Sequence, residues 1–158
     1  MNTAYLGLGS NVGDRAEHLR FALEALRPVR VSGMYETAPL HYLAQEAFLN
    51  CVCEIATALS PWALLAEVRR LERLRQRERP FPNAPRTLDI DILLYSNFVL
   101  RSPGLTIPHP RLAERAFVVA PLAELLPAYS TLLAELSGQQ IRRLAATAAG
   151  PWPPPGPR

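Results

Sequence analysis

Long apolar runs are missing from this chain of 158 residues. No stretch approaches the ~18 consecutive apolar residues of a membrane span, so no membrane partner is expected. Met1-Asn2-Thr3-Ala4-Tyr5 lacks the charge of a signal-peptide n-region, and a cytoplasmic location is the expectation that follows. Cysteine is scarce, with Cys51 and Cys53 alone. Two positions apart on a strand, their Cβ atoms would lie roughly 7 Å apart, against the ~3.5 to 4.5 Å of a disulfide. With no histidine nearby they also make a poor zinc site, so buried free thiols are expected. Excess charge is small as well. The formal net charge is +3, and arginines of one segment supply most of it, which favours a local anion site over a nucleic-acid-coating surface. The apolar content of 49% and charged content of 20% are those of a globular chain. The length suits one domain, taken as residues 1–149 and monomeric.

What is present centres on Pro85-Arg86-Thr87-Leu88-Asp89-Ile90-Asp91-Ile92-Leu93-Leu94-Tyr95. From Leu88 to Leu94 the even positions are Leu or Ile, while Asp89 and Asp91 take odd ones, the period of a strand with one buried face. Residues i and i+2 lie roughly 7 Å apart along a strand, so both carboxylates can converge on hard cations such as Mg²⁺. A bare D-x-D fits equally an exposed strand with solvated acids. Its surroundings favour the metal, because Arg69 to Arg79 is dense in arginine and Arg86 stands three residues before Asp89. Acids for a metal beside arginines for anions suggest a metal-nucleotide site.

Along the chain, Ala4 to Asn11 reads as a strand entering a Gly/Ser/Asn turn. Gly7-x-Gly9 is followed by Val12 where a dinucleotide fingerprint needs glycine, which excludes a Rossmann reading. Asp14 and Glu17 form an N-cap pair for a helix from Arg15 to about Arg27, with Leu19, Leu23 and Leu26 as its stripe. Val29 to Thr37 reads as a second strand and Ala47 to Thr57 as a third, with Leu49, Cys51, Cys53 and Ile55 on one side and Phe48, Asn50, Val52 and Glu54 on the other. Phe48 and Asn50 could hold a flat heterocycle by its face and its edge. Taken alone, such a pair is more commonly an edge aromatic beside a turn-forming Asn. Ser60-Pro61 starts a second helix with the stripe Leu64, Leu65, Val68, Leu71 and Leu74, leaving Arg69, Arg70 and Arg73 on a solvated face. Pro80, Pro82 and Pro85 exclude helix from Arg77 to Pro85. Without a polyanion this basic loop is expected to stay open and mobile. Leu105-Thr106-Ile107-Pro108-His109-Pro110 presents a histidine between two prolines, a group able to donate to phosphate. Arg111 to Leu126 reads as a helix around Pro121, Thr131 to Ala149 as a weaker one, and the proline-rich tail 150–158 as disordered. The order β-α-β-β-α-β predicts an α+β, ferredoxin-like sandwich with additional C-terminal helices, the helices on one face of the sheet and the ligand on the other.

Four motifs carry a resemblance over Ala4 to Pro127: Pro85 to Leu94, Gly7 to Asp14, Phe48-Leu49-Asn50 and Ile107 to Pro110. Together they resemble the 6-hydroxymethyl-7,8-dihydropterin pyrophosphokinases, which transfer diphosphate from ATP to the pterin's hydroxymethyl oxygen and release AMP in folate biosynthesis. The resemblance implies that Asp89 and Asp91 bind two Mg²⁺ ions and, with Arg77 and Arg86, act in catalysis. Phe48 and Phe117 would enclose the pterin ring, while Asn50, Thr37 and Leu40 bind its edges. Arg77, Arg79, Arg86, His109 and Arg115 would surround the triphosphate, with Glu72, Ile92 and Thr106 near the nucleotide. Gly104 and Pro110 stand where some members carry arginine and tyrosine. Two rivals remain on the residues alone: an RNA-binding ferredoxin-like module and a metal-dependent nuclease. Asp89 and Asp91 would repel a nucleic-acid backbone without a metal, so no nucleic-acid partner is expected.

Overall fold

The computed structural model describes residues 1–37, 47–75 and 87–145. The basic loop and the tail of the sequence reading lie outside the described residues. Strand β1 (Asn2–Ser10) leads into helix α1 (Arg15–Leu26). Asp14 caps that helix as expected, its carboxylate accepting from the Glu17 amide at 3.2 Å. Strands β2 (Arg30–Val31), β3 (Tyr35–Thr37) and β4 (Phe48–Thr57) follow, then helix α2 (Pro61–Arg75). Ser60 caps α2 through the Ala63 amide at 3.2 Å. Strand β5 (Asp89–Tyr95), the short pair β6 (Leu100–Arg101) and β7 (Thr106–Ile107), helices α3 (Ala116–Leu125) and α4 (Ser130–Glu135), and strand β8 (Ile141–Arg143) complete the order.

The main sheet is antiparallel in the order β5-β1-β4-β3-β8, with β2 also on β4, while β6 and β7 pair separately. Counting β2 and β3 as one broken strand, the first four positions read fourth-first-third-second, the ferredoxin-like topology predicted from the element order. The break falls at Ser32. Its side chain accepts from the Val52 amide at 2.9 Å and donates to the Gly33 carbonyl at 2.8 Å, so a hydroxyl replaces part of the ladder.

Alternation in β1, β4 and β5 sends two sets of side chains to opposite faces. Leu6, Leu8, Cys51, Cys53, Ile90 and Ile92 join α1 and α2 in the larger core. Both thiols are free and buried, and burial pushes Cys53 up to about 12 and Cys51 well above its ordinary value, so neither is a nucleophile. Val52 and Leu93 instead meet Val118, Leu122 and Leu125 of α3 on the second face. The expectation of helices on one face alone is therefore corrected. α3 is too apolar to be left in water and covers part of the second face, leaving the ligand only the remainder.

Four local expectations also change. The register of β5 against β1 slips beside Leu93, so Leu93 and Leu94 turn to the α3 side and Tyr95 enters the larger core. Leu74 is exposed, because α2 is near its end and has left the sheet behind. The helix expected from Arg111 begins only at Ala116 and keeps Pro121 inside it. Residues Ile141–Arg143, expected to be helical, form a strand because the outer edge of β3 offers unpaired backbone groups.

Candidate active site

The sheet places the expected ligand-facing residues in one row. Asp89 on β5 is opposite Gly9 on β1, Gly9 is opposite Asn50 on β4, and Asn50 is opposite Tyr35 on β3. One step along, Asp91 is opposite Gly7 and Gly7 opposite Val52. With strands ~4.8 Å apart, the acids and Asn50 face the same side roughly 10 Å from each other across a strand without side chains. The sequence reading used Gly7 and Gly9 to exclude a dinucleotide site and as part of one motif of the resemblance, and gave them no place on the ligand face. Here they are the gap between two halves of a ligand face. A Cβ on Gly9 would come within 2.8 Å of Asn50 Oδ1, whereas one on Gly7 would meet only Leu93 methyls at 3.5 Å. Gly9 is therefore the stricter requirement.

Asn50 is buried, and its amide donates to Thr37 Oγ1 at 3.3 Å. That bond fixes which end of the amide faces Gly9. Phe48 projects to the same side by alternation, and Phe117 is half-buried on that side against the α3 cluster. Leu40, the remaining expected contact, lies outside the described residues.

On the other side of the acids, a cleft of about 210 Å³ runs along the outer edge of β5, between α2 and the β6–β7 pair. Arg69, Asp91, Ile92, Gly104, Thr106 and His109 are among its walls. Glu72, expected near the nucleotide, sits behind this wall. Its carboxylate accepts from the Ile90 amide at 3.0 Å and from Arg69 at 2.8 Å, so α2 grips β5 between the two acids. Burial raises the Glu72 carboxyl above the usual range, and the Arg69 guanidinium opposes that rise. Because the Ile90 amide points outward to Glu72, Ile92 two residues on turns its peptide edge the same way, into the cleft. Arg69 is exposed, as its place off the apolar stripe predicted, and it also lines the cleft, where Glu72 first and then Asp91 and Asp89 favour its positive charge. Its i,i+3 spacing to Glu72 was the available signal.

His109 is anchored by its own amide, which donates to the Leu93 carbonyl at 2.9 Å. Its Nδ1 accepts from the Arg111 amide at 3.2 Å, leaving Nε2 as the proton-bearing nitrogen, 4.0 Å from Asp91 Oδ1. Burial, then Arg115 and Arg111, lower its pKa, so the ring is neutral at pH 7 and the contact with Asp91 is not an ion pair. Arg115 stands just before α3 with its guanidinium 5.6 Å from the centre of the Phe117 ring. At Gly104, where some members carry arginine, a Cβ would meet the Trp62 ring at 3.2 Å, so Trp62 occupies that space. Arg77, Arg79 and Arg86 lie outside the described residues.

The donor set fits hard cations. Two partly exposed carboxylates face a side-chain-free gap, and oxygens from phosphates or water would complete their coordination. Among the described residues, no group of three or more His, Cys, Asp or Glu forms a metal cage of its own.

Comparison with known proteins identifies the family. Residues 5–127 match the family described as 7,8-dihydro-6-hydroxymethylpterin-pyrophosphokinase (HPPK). The chain is 44% identical over 130 residues to the 2-amino-4-hydroxy-6-hydroxymethyldihydropteridine pyrophosphokinase of Bacillus subtilis, covering 78% of each chain. It is also 44% identical over 130 residues to the folic acid synthesis protein fol1 of Schizosaccharomyces pombe, of which it spans only 18%. Among solved structures, it superposes on Plasmodium falciparum HPPK-DHPS with pteroate at a TM-score of 0.68 and 16% identity, covering 85% of this chain and 42% of that one. That likeness supports the ferredoxin-like fold. The chain belongs to the 7,8-dihydro-6-hydroxymethylpterin-pyrophosphokinase family and is a diphosphotransferase of folate synthesis.

Proposed function

We propose that the cleft along β5 takes Mg-ATP, that the row from Gly9 to Asn50 takes 6-hydroxymethyl-7,8-dihydropterin, and that diphosphate passes between them over Asp89 and Asp91. The observation that carries this reading is the row Asp89–Gly9–Asn50, which opens a path between the two halves. Asp89 and Asp91 would hold two Mg²⁺ ions, whose chemistry there is to neutralise phosphate charge. Ile92 offers its peptide edge to the nucleotide base, and Thr106 lies beside it on the opposite wall. Arg69 and Arg115 supply positive charge, and His109 donates a hydrogen bond from Nε2–H to a phosphate oxygen, keeping its proton and its neutrality. Arg77, Arg79 and Arg86 complete this anion shell on the family resemblance. Asn50 and Thr37 bind the pterin edge, and Phe48 and Phe117 flank its ring. The rest of the proposal is a cytoplasmic monomer without nucleic-acid partners, and light scattering tests the monomer directly.

The decisive experiment is AMP release from ATP in the presence of the pterin. Asp89→Ala and Asp91→Ala should each lower turnover by at least ~10²-fold, the scale of losing one focused electrostatic contact, with unchanged melting temperature. Near wild-type turnover in either variant at ordinary Mg²⁺ concentration would reject the assignment.

A further inference from the structure

The family match ends at residue 127, yet the segment after α4 reaches back to two elements of the ligand face, α3 and β3. Gln139 spans the peptide groups on either side of Arg115. Its Oε1 accepts from the Ala116 amide at 2.8 Å, and its Nε2 donates to the Glu114 carbonyl at 2.7 Å. Arg115 has no side-chain capping bond to α3, so Gln139 supplies from a distance the partner that the first helical amide lacks. At the other end of α3, the Glu124 carboxylate receives both Nε and Nη2 of Arg143 at 3.2 Å, together with the Gly33 amide at 3.0 Å and the Tyr35 hydroxyl. The helix that carries Phe117 is thus held at its first residue and in its last turn by residues four apart.

The same segment holds the pterin-side edge. β8 pairs with β3 in the register Tyr35↔Arg143 and Thr37↔Ile141, and the Leu144 amide donates to the Met34 carbonyl at 2.8 Å. Arg142 bonds Glu36 at 2.8 Å, Glu36 also pairs with Arg15 at 2.8 Å, and Arg15 donates to the Ala47 carbonyl at 2.6 Å. Ala47 directly precedes Phe48. Arg142 therefore holds β3 directly at Glu36 and reaches the residue before β4 through Glu36 and Arg15.

We propose that Gln139 to Arg143 form a C-terminal clamp that positions Arg115 and Phe117 on one side and Thr37 and Phe48 on the other, making Gln139 and Arg142 positioning residues for the diphosphate transfer. The proposal rests on the reading of those four residues as substrate contacts. None of the clamp residues touches substrate in it.

Two measurements on the full chain test the clamp and separate it from that reading. Hydrogen exchange of the ligand-free protein needs no activity. Gln139→Ala should speed exchange at Ala116, and Arg142→Ala at Glu36 and Thr37, by about tenfold, roughly the loss of one or two hydrogen bonds. Steady-state kinetics then reads the consequence. Arg142→Ala should raise the pterin KM about fivefold and leave the ATP KM within about twofold, Arg142→Lys should restore it, and Gln139→Ala should lower kcat about fivefold or more. Unchanged exchange in both variants overturns the clamp whatever the activity. Faster exchange with unchanged kinetic constants overturns its positioning role. So do kinetic losses that follow melting temperature alone and disappear in the cold. Absence of pterin-dependent AMP release in the wild type would instead reject the functional reading, with exchange still deciding whether the segment is a clamp.

Discussion

Glu72 puts a carboxylate among core side chains and uses both oxygens there, one on a backbone amide of the acidic strand and one on Arg69. Removing the acceptor should cost more than removing the charge. Glu72→Ala leaves the Ile90 amide unsatisfied and should cost ~1 to 3 kcal/mol in denaturant unfolding. Glu72→Gln keeps an acceptor and relieves a buried charge whose pKa is already raised, so its loss at pH 7 should stay below about 1 kcal/mol. A Gln variant as unstable as Ala would show that the charge itself is needed. Gly9 and Asn50 form the second residue-scale test. Asn50→Ala should weaken pterin binding by ~1 to 3 kcal/mol without moving ATP affinity, and Gly9→Ala should do at least as much by displacing Asn50 Oδ1. Titration calorimetry with a non-hydrolysable ATP analogue and the pterin reads both, and equal losses for the two ligands would make Asn50 a structural residue. Asp89, Asp91 and Asn50 were legible because each is a polar residue at a fixed place in an apolar period. Gly7 and Gly9 were not, because an absent side chain acquires meaning only when the residues across the sheet are known.

Elements followed the sequence wherever one physical signal governed a whole stretch. The capped starts of α1 and α2 and the alternation of β4 are such cases. The reading failed where a distant partner decided. Ile141-Arg142-Arg143 has no strong local preference, and an open strand edge made it a strand. The break at Ser32 and the slip beside Leu93 belong to pairs of strands, so no single strand displays them. Ser32 offers a test at this scale. Its hydroxyl is the acceptor for a buried Val52 amide, so Ser32→Ala should destabilise the protein by ~1 to 3 kcal/mol. Val52 should lose exchange protection before the rest of β4 does. Uniform change along β4 would mean that the hydroxyl does not define the break.

For the whole molecule, the pH dependence of stability is a balance of opposed groups. Glu36, Glu54 and Glu67 are lowered first by bonds to Arg15, Arg30 and Arg70 respectively. For Glu124, burial pushes upward, but Arg143, Tyr35 and the Gly33 amide outweigh it. A lowered folded pKa means that the unfolded chain binds more protons between the two values. The contribution is therefore full above the unfolded pKa and disappears as pH falls through the folded one. His109 has the same sign starting below its ordinary value of 6.5, whereas the raised Glu72 loses its contribution as pH rises through its folded pKa. The melting temperature should therefore change gently above pH 6.5 and fall steeply below about 4.5 as the paired carboxylates protonate. His109→Gln should flatten the first part of the acid-side decline, which begins below pH 6.5. A melting temperature that rises on acidification through pH 4 would show that these arginine pairs add nothing to folding.

The slip beside Leu93 works as a change of reading frame within one strand. Before it, odd-numbered residues of β5 look toward the ligand and even-numbered ones toward α1 and α2. After it, Leu94 has crossed over and the odd-numbered Tyr95 is in the larger core, where its hydroxyl reaches the Leu59 carbonyl at 2.5 Å. The extra residue thus lets one edge strand begin as a polar ligand surface and end as an apolar floor for α3, with the carbonyl of the slipped residue left to hold His109. Deleting Leu93 would keep the acidic motif intact and, by removing the slip, leave Leu94 and Tyr95 on their present sides by plain alternation, while α3 would lose an apolar contact and His109 the carbonyl that anchors it.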